Sequence, residues 1–342
     1  MDKTFSVGVA ATGLRLPERS YSNDEVLREI SSAQKAAGMD VKELTSAWIE
    51  ENIGIASRHY FSDDERLVDM SAEATQQALD RAGWDPMDLD FIIFASISMH
   101  SEMDSRIIPS SACCVQEQLR AYNAFAYDSV AACSGFVYGM AQGVSFIEAG
   151  MSQRGAVICA EKQRKGLDFT DHRSSVLIGD AATVTLLEKT SSPKVYSMSL
   201  HANDDKQLSD IIHLKFQRQD EEGAMHKGYF GLQGPAVFKE GIRTMALLTL
   251  EALAHNHLSV DDVDWFIYHQ ANGAMLRMVQ QKVGFAPEKN LMNIDRLANT
   301  TGATIPSVLH MHIENGTIQR GDKICCVAFG GGLTSGSVVF EY

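Results

Sequence analysis

The feature that most constrains this chain is that it repeats itself. The segment Gln77-Ala-Leu-Asp-Arg-Ala-Gly-Trp-Asp-Pro-Met-Asp-Leu-Asp-Phe-Ile-Ile-Phe94 lies without a gap on Glu251-Ala-Leu-Ala-His-Asn-His-Leu-Ser-Val-Asp-Asp-Val-Asp-Trp-Phe-Ile-Tyr268. The offset is 174 residues, about half of the 342-residue chain. Ala78/Ala252, Leu79/Leu253, Asp88/Asp262, Asp90/Asp264 and Ile93/Ile267 coincide. Each copy reads as a helix, a turn, an Asp-x-Asp and a buried strand. Two amphipathic helix–strand units can share that many residues by chance, so the later elements carry the argument. Val157-Ile-Cys159 leads to Gly179-Asp180 and a strand, and Ile324-Cys-Cys326 leads to Gly330-Gly-Gly332 and a strand. Duplication is the better reading. The boundary is expected near Ser191-Ser-Pro193, giving halves of residues 1–190 and 191–342.

Hydrophobic period and breakers predict the elements of the first half. A strand is expected over residues 5–13 and a helix over 23–32 with Asn23 as its N-cap. A second helix is expected over 70–82, stopped by Gly83. Residues 91–98 form an almost wholly apolar run, as in a strand buried on both faces. Helices over 109–119 and 134–149 and strands over 124–127, 156–160 and 182–187 complete an α/β pattern. Residues 203–228 are polar, lack a period and read as a surface excursion.

Charge and cysteine usage narrow the partners. Lys plus Arg number 30 against 44 Asp plus Glu, a net charge of −14. That excess argues against nucleic acid and anionic membrane, which both need surplus cations. No run approaches the length of a membrane span, and the first residues lack the apolar region of a signal peptide. The six cysteines show no metal-ligand spacing and no disulfide framework. The expectation is a cytoplasmic protein with reduced thiols and no metal.

Three positions carry chemistry. In Asp128-Ser-Val-Ala-Ala-Cys-Ser-Gly-Phe136 a strand ends and a helix begins at or just after Cys133. The positive end of a helix dipole is expected to lower that thiol's pKa, and small neighbours leave room for a substrate. In Trp265-Phe-Ile-Tyr-His-Gln-Ala-Asn272, His269 follows a buried strand, where α/β folds place functional groups. In Leu297-Ala-Asn-Thr-Thr-Gly-Ala303, Asn299 sits in a polar turn before another helix. Taken singly, each also reads as a structural residue; the triple is what points to nucleophilic catalysis. The glycine-dense Phe329-Gly-Gly-Gly-Leu-Thr-Ser-Gly336 is either a tight strand connection or a place where N–H groups approach a ligand, as an oxyanion hole needs. Lys162-Gln-Arg-Lys165 reads as a solvated basic cluster, and His310-Met-His312 as surface or core histidines, not a metal site.

At Ala131-Ala-Cys-Ser-Gly-Phe136, Tyr268-His-Gln-Ala-Asn272, Ala298-Asn-Thr-Thr-Gly302, Ile178-Gly-Asp180 and Phe329-Gly-Gly-Gly332 the chain resembles the β-ketoacyl-acyl-carrier-protein synthase III family of the thiolase superfamily. The likeness runs nearly end to end. It implies a thiolase-like, duplicated five-layer αβαβα sandwich and a homodimer. It implies Cys133 as the acyl-accepting nucleophile, and His269 and Asn299 as the pair holding a second thioester's carbonyl. Gly331 would complete the oxyanion hole with the Cys133 N–H. Trp48 would line a tunnel mouth, Ile108 would gate the acyl pocket across the dimer, and Phe238 would form tunnel wall. Phe136 and Asn272, which close their motifs, join the substrate-binding set. The reaction implied is a Claisen condensation of acyl-Cys with a malonyl or β-ketoacyl thioester, delivered by CoA or acyl-carrier protein, with no metal or organic cofactor. Asn52, His172 and Ala274 stand where family members commonly carry basic residues, with Arg173 and Arg277 nearby. Those departures suggest longer or unusual acyl groups, as in polyketide, alkylresorcinol or alkylquinolone biosynthesis. The competing expectations are an acyltransferase that uses the same Cys on a hydroxyl or amine, and a non-catalytic partner subunit.

Overall fold

The structure, a computed structural model, describes residues 4–98, 108–203, 211–214, 217–219, 225–227 and 230–342. Its core is two five-stranded sheets. The first holds β1 (Val7–Arg15), β2 (Phe91–Ala95), β3 (Phe125–Ser129), β4 (Arg154–Glu161) and β5 (Ala181–Lys189), in the order β1-β5-β4-β2-β3. The second holds β6 (Val195–Ala202), β7 (Trp265–Tyr268), β8 (Asn290–Leu291), β9 (Lys323–Gly330) and β10 (Thr334–Glu341), in the order β6-β10-β9-β7-β8. Adding five to each label of the first order gives the second. The senses agree too. β1–β5 and β5–β4 are antiparallel and β4–β2 and β2–β3 parallel, and their four counterparts match them. β2 and β7 begin at Phe91 and Trp265, the offset of the sequence repeat.

Alternation explains the layers, because successive side chains of a strand face opposite ways. Phe91, Ile93 and Ala95 of β2 and Ile324, Cys326 and Ala328 of β9 face inward. Between the sheets they meet α3 (Gly135–Glu148) and α6 (Thr304–Glu314), through Phe136, Val137 and Met140 and through Ile305, Val308 and Leu309. Ile92 and Phe94 face the other way, onto α1 (Leu67–Ala82) and α2 (Ser111–Leu119). Cys325, Val327 and Phe329 face α4 (Gly234–His255) and α5 (Gly273–Val283). The adjacent Cys325 and Cys326 therefore belong to different layers. The result is the five-layer αβαβα sandwich.

α3 fits between the sheets because Gly135, Gly139 and Gly143, four residues apart, share one face. A Cβ at Gly139 would stand 2.6 Å from Val157 Cγ1, and one at Gly143 2.7 Å from Leu187 Cδ1. No larger residue leaves the helix that close to its sheet.

The structure differs from the sequence expectation at several points. The helix Asn23–Ala36 is capped by Ser22, whose hydroxyl accepts from the Glu25 N–H while the Glu25 carboxylate accepts from the Ser22 N–H. Asn23 is buried and donates to the Ile55 carbonyl at 2.7 Å. The basic cluster is only partly solvated: Lys165 is exposed, but Lys162 is buried and donates to the Glu65 carbonyl, and Arg164 bonds both oxygens of Glu29 at 2.8 and 2.9 Å. The described parts of 203–228 include Ile211, buried against α4 and α5. Among the described residues no helix is long and apolar enough to cross a membrane, and no three His, Cys, Asp or Glu gather as metal ligands.

Candidate active site

Three chain turns converge at the carboxyl ends of the parallel strands. After β3 the chain passes through Ala132, at φ +46°, into a 3-10 turn, Ala132–Ser134, which carries Cys133 to the head of α3. Ser134 Oγ donates to the Thr334 carbonyl at 3.0 Å and Thr334 Oγ1 to the Ala131 carbonyl at 2.9 Å, tying this turn to the β9–β10 hairpin. His269 follows β7 and donates its N–H to the Val327 carbonyl at 2.9 Å. Asn299 lies between Ala298, φ +55°, and Thr301, φ +50°. Its N–H donates to the Leu177 carbonyl at 2.9 Å, and its own carbonyl accepts from the Gly179 N–H at 3.0 Å, stitching this loop to the first half. Left-handed backbone is costly for residues with a Cβ, and here it recurs beside two of the three candidate groups.

Cys133, His269 and Asn299 line one cleft of about 610 Å³, mouth included. Its walls are mostly apolar: Leu177, Ile212, Phe230, Val237, Met275 and Phe329. Phe238 and Asn272 line it as well, although Asn272 Oδ1 is engaged as the cap of α5, accepting from the Met275 N–H at 3.1 Å.

Each polar group has a defined orientation. Asn299 Oδ1 accepts from the Thr301 N–H at 2.8 Å, which leaves the amide NH₂ as its uncommitted end. His269 Nδ1 is 2.8 Å from Thr304 Oγ1. The N–H groups of Gly331 and of Cys133 itself lie near the Cys133 sulfur and favour its thiolate form. Two main-chain donors thus stand beside the sulfur, the kind of groups that an oxyanion hole uses. The Gly330 backbone allows this approach, because a Cβ there would stand 2.8 Å from Cys133 N and 2.9 Å from Cys133 Cβ.

Electrostatics correct one expectation. Burial pushes the Cys133 thiol up to about 12, and the nearby Glu161 adds to the rise. The two N–H groups oppose it but do not win. Desolvation of a thiolate in an apolar cleft outweighs the pull of the helix end, which favours the thiol form of Cys133. Burial likewise lowers His269 to about 3, leaving a neutral imidazole. Beneath the site Glu161 is fully buried, accepting from Ser98 Oγ at 2.6 Å and the Ile97 N–H at 3.3 Å, and burial raises its carboxyl to about 8.

The remaining expected residues stand elsewhere. Phe136 is 0% exposed in the central core and is not among the residues that line the cleft. Trp48 and Ile108 lie outside the cleft lining and are exposed at 47% and 84%. Arg173 is paired with its own Asp171 at 2.8 Å, and Asn52 donates to the Trp48 carbonyl at 2.9 Å. Sequence reasoning missed Thr301, Thr304 and Glu161. The first two sit within five residues of Asn299, where serine and threonine hydroxyls commonly turn back on the main chain; nothing in the sequence singles out Glu161.

Comparison with known proteins places this geometry. Residues 127–204 match the family described as 3-Oxoacyl-[acyl-carrier-protein (ACP)] synthase III, and residues 253–342 match its C-terminal part. A β-ketoacyl-[acyl-carrier-protein] synthase III of Methylococcus capsulatus is 32% identical over 334 residues, covering 98% of each chain. The crystal structure of 3-oxoacyl-[acyl-carrier-protein] synthase III from Aquifex aeolicus superposes with a TM-score of 0.86 at 31% identity, over 98% of this chain and 100% of that one. The fold is shared by the priming β-ketosynthase of the R1128 polyketide pathway, with a TM-score of 0.87 at 23% identity, over 100% and 97%. With the repeat, the sandwich and the cleft agreeing along nearly the whole chain, this protein belongs to the β-ketoacyl-[acyl-carrier-protein] synthase III family.

Proposed function

We propose that the protein is a ketosynthase that forms an acyl-Cys133 intermediate and condenses it with a malonyl or β-ketoacyl thioester. The observation that carries this reading is the meeting of Cys133, His269 and Asn299 in one apolar cleft, with the Gly331 and Cys133 N–H groups near the sulfur. Cys133 attacks the acyl thioester, and the two N–H groups take the charge that develops on its carbonyl oxygen. The apolar walls suit an acyl chain and the arm of CoA or of a carrier protein. A second thioester then binds with its carbonyl toward His269 and the Asn299 NH₂. Loss of CO₂ from a malonyl group leaves an enolate there, and its carbon attacks the acyl-Cys. An acyltransferase acting on a hydroxyl or amine has no use for an amide aimed at a second carbonyl, so Asn299 favours condensation. The catalytic set is Cys133, His269 and Asn299, with Gly331 in the oxyanion hole and Phe238 and Asn272 along the substrate path. The residues at 52, 172 and 274 support primers other than the shortest ones, in fatty-acid or polyketide biosynthesis.

The same reading makes the enzyme a cytoplasmic homodimer whose halves are residues 1–190 and 191–342. Among the described residues the edge strand β3 has a neighbour on one side only, and around it Phe125, Val130 and Tyr122 are exposed at 39%, 62% and 62%. An open apolar sheet edge is covered in a stable protein, and a second copy of β3 would cover it. Ile108, near that edge in the chain, would then reach the partner's acyl pocket.

The test is intact-protein mass spectrometry against a panel of acyl-CoA and acyl-carrier donors, followed by malonyl thioester and analysis for CO₂ and β-keto product. A mass increment lost in Cys133→Ala and discharged by malonyl thioester is the expected result. Acyl transfer to a hydroxyl or amine with no CO₂ release would overturn it, as would a Cys133 that no donor acylates.

A further inference from the structure

His269 works through a second residue whose bonds decide which ring nitrogen carries the proton. Thr304 is 1% exposed, and its hydroxyl has a single hydrogen. That hydrogen is committed: Thr304 Oγ1 donates to the Thr301 carbonyl at 2.9 Å, and a carbonyl can only accept. The same oxygen is 2.8 Å from His269 Nδ1, so in that contact it accepts and Nδ1 donates. The Thr301 carbonyl also faces the His269 ring, and it favours the protonated ring. This assignment follows from the hydrogen-bond network. Thr301 orients both groups at once, its N–H holding Asn299 Oδ1 and its carbonyl holding the hydroxyl beside His269. Its own hydroxyl is anchored by Gln163 Nε2, and the Gln163 N–H is held by Asp180 at 2.7 Å.

We propose that Thr304 is a positioning residue that locks neutral His269 with its proton on Nδ1, so that Nε2 presents a lone pair to the cleft it shares with Cys133. This rests on the ketosynthase reading for the roles of Cys133 and His269. As the Sγ–acyl carbon bond forms, the Sγ proton passes to Nε2. As the donor's carbon–sulfur bond breaks, the leaving thiolate takes that proton and the ring returns to neutral. A neutral thiol beside a neutral acceptor thus needs no standing thiolate. In the condensing half-reaction with a malonyl thioester one proton is consumed overall as CO₂ leaves; taken up at Nε2 as the enolate charge develops, it lets His269 donate to the enolate, and it passes to the Cys133 sulfur as the enolate carbon bonds the acyl carbon and the acyl–sulfur bond breaks.

The tautomer is read directly by nitrogen-15 NMR of histidine-labelled protein without substrate, with the His269 signals assigned by their loss in His269→Asn. The expected wild-type spectrum shows a protonated Nδ1 and an unprotonated Nε2, kept in Thr304→Ser. Thr304→Val, similar in shape but without the hydroxyl, should lose that preference. It should slow acyl-Cys133 formation at neutral pH by about 10- to 100-fold, up to the low end of what a positioned base contributes because the base itself remains, with Thr304→Ser within about threefold of wild type. A wild-type Nε2 that carries the proton overturns the proposal, and so does a folded Thr304→Val that acylates at the wild-type rate. The spectrum needs no donor, so a Cys133 that fails to acylate would sink the ketosynthase reading and leave this one standing or falling on its own signal.

Discussion

Gly330→Ala tests the oxyanion geometry most directly. An added Cβ would stand 2.8 Å from Cys133 N, 2.9 Å from Cys133 Cβ and 3.1 Å from Cys133 Cα. Carbon atoms rest at about 3.5–4.0 Å, so the two backbones must part by at least roughly 0.6 Å. The obstruction is main chain and β-carbon, so no side-chain rotation relieves it. Overpacking of this kind costs about 1–3 kcal/mol. For a chain of this length that lowers the melting temperature by about 1–4 °C. The larger effect is on chemistry. The displaced turn carries the Cys133 N–H, one of the two donors proposed to hold the substrate's carbonyl oxygen, and losing one such donor costs about 100- to 1,000-fold in rate. Single-turnover acylation followed by intact mass should therefore fall by about that factor while the far-ultraviolet circular dichroism is unchanged. Gly331→Ala is the stability control: its Cβ would meet Ile212 Cγ2 at 3.4 Å, an ordinary contact, so its melting temperature should fall less. If Gly330→Ala acylates at the wild-type rate and melts at the wild-type temperature, Cys133 does not sit against this strand and the oxyanion account is wrong.

Four further outcomes are expected. Burial holds the Cys133 thiol near 12, so its alkylation by iodoacetamide should keep rising with pH up to about 10; a plateau near neutral pH would show a standing thiolate instead. Asn299→Ala should still acylate but yield little condensation product, whereas His269→Ala should be slow in both half-reactions; full condensation by Asn299→Ala would remove that residue from the mechanism. Glu161 holds its proton to about pH 8 when folded, while an unfolded chain gives it up near about 4.3, so the stability present at pH 4 is lost as pH rises through 8. Glu161→Gln should flatten the decline of melting temperature between pH 5 and 8, and an unchanged slope would refute the assignment. Val130→Arg, at an exposed position beside the open edge of β3, should give a folded monomer by light scattering if that edge is the dimer interface.

Much of the architecture was legible because its causes are local. The register of Gln77–Phe94 on Glu251–Tyr268 gave the offset at which β2 and β7 begin, since a strand buried on both faces must be written as an unbroken apolar run. Gly83 ended α1 as expected, adopting the left-handed φ of +67° that suits glycine. The cap at Ser22 was misread because Asn23 is an equally good capping type, and only the reciprocal bonds with Glu25 distinguish them. The motifs around Cys133, His269 and Asn299 named the chemistry, but Phe136, in the first of these motifs, turned out to serve the core.

Sequence alone therefore determined the duplicated α/β frame and the residue types able to act, because hydrophobic period and turn chemistry operate over a few neighbours. Tertiary structure decided what state those residues are in. The protonated thiol of Cys133, the proton on His269 Nδ1, the outward amide of Asn299 and the internal position of Lys162 each depend on groups far away in the chain. Desolvation and hydrogen-bond direction are set by everything packed around an atom, and that enclosure exists only once the two halves have closed on each other.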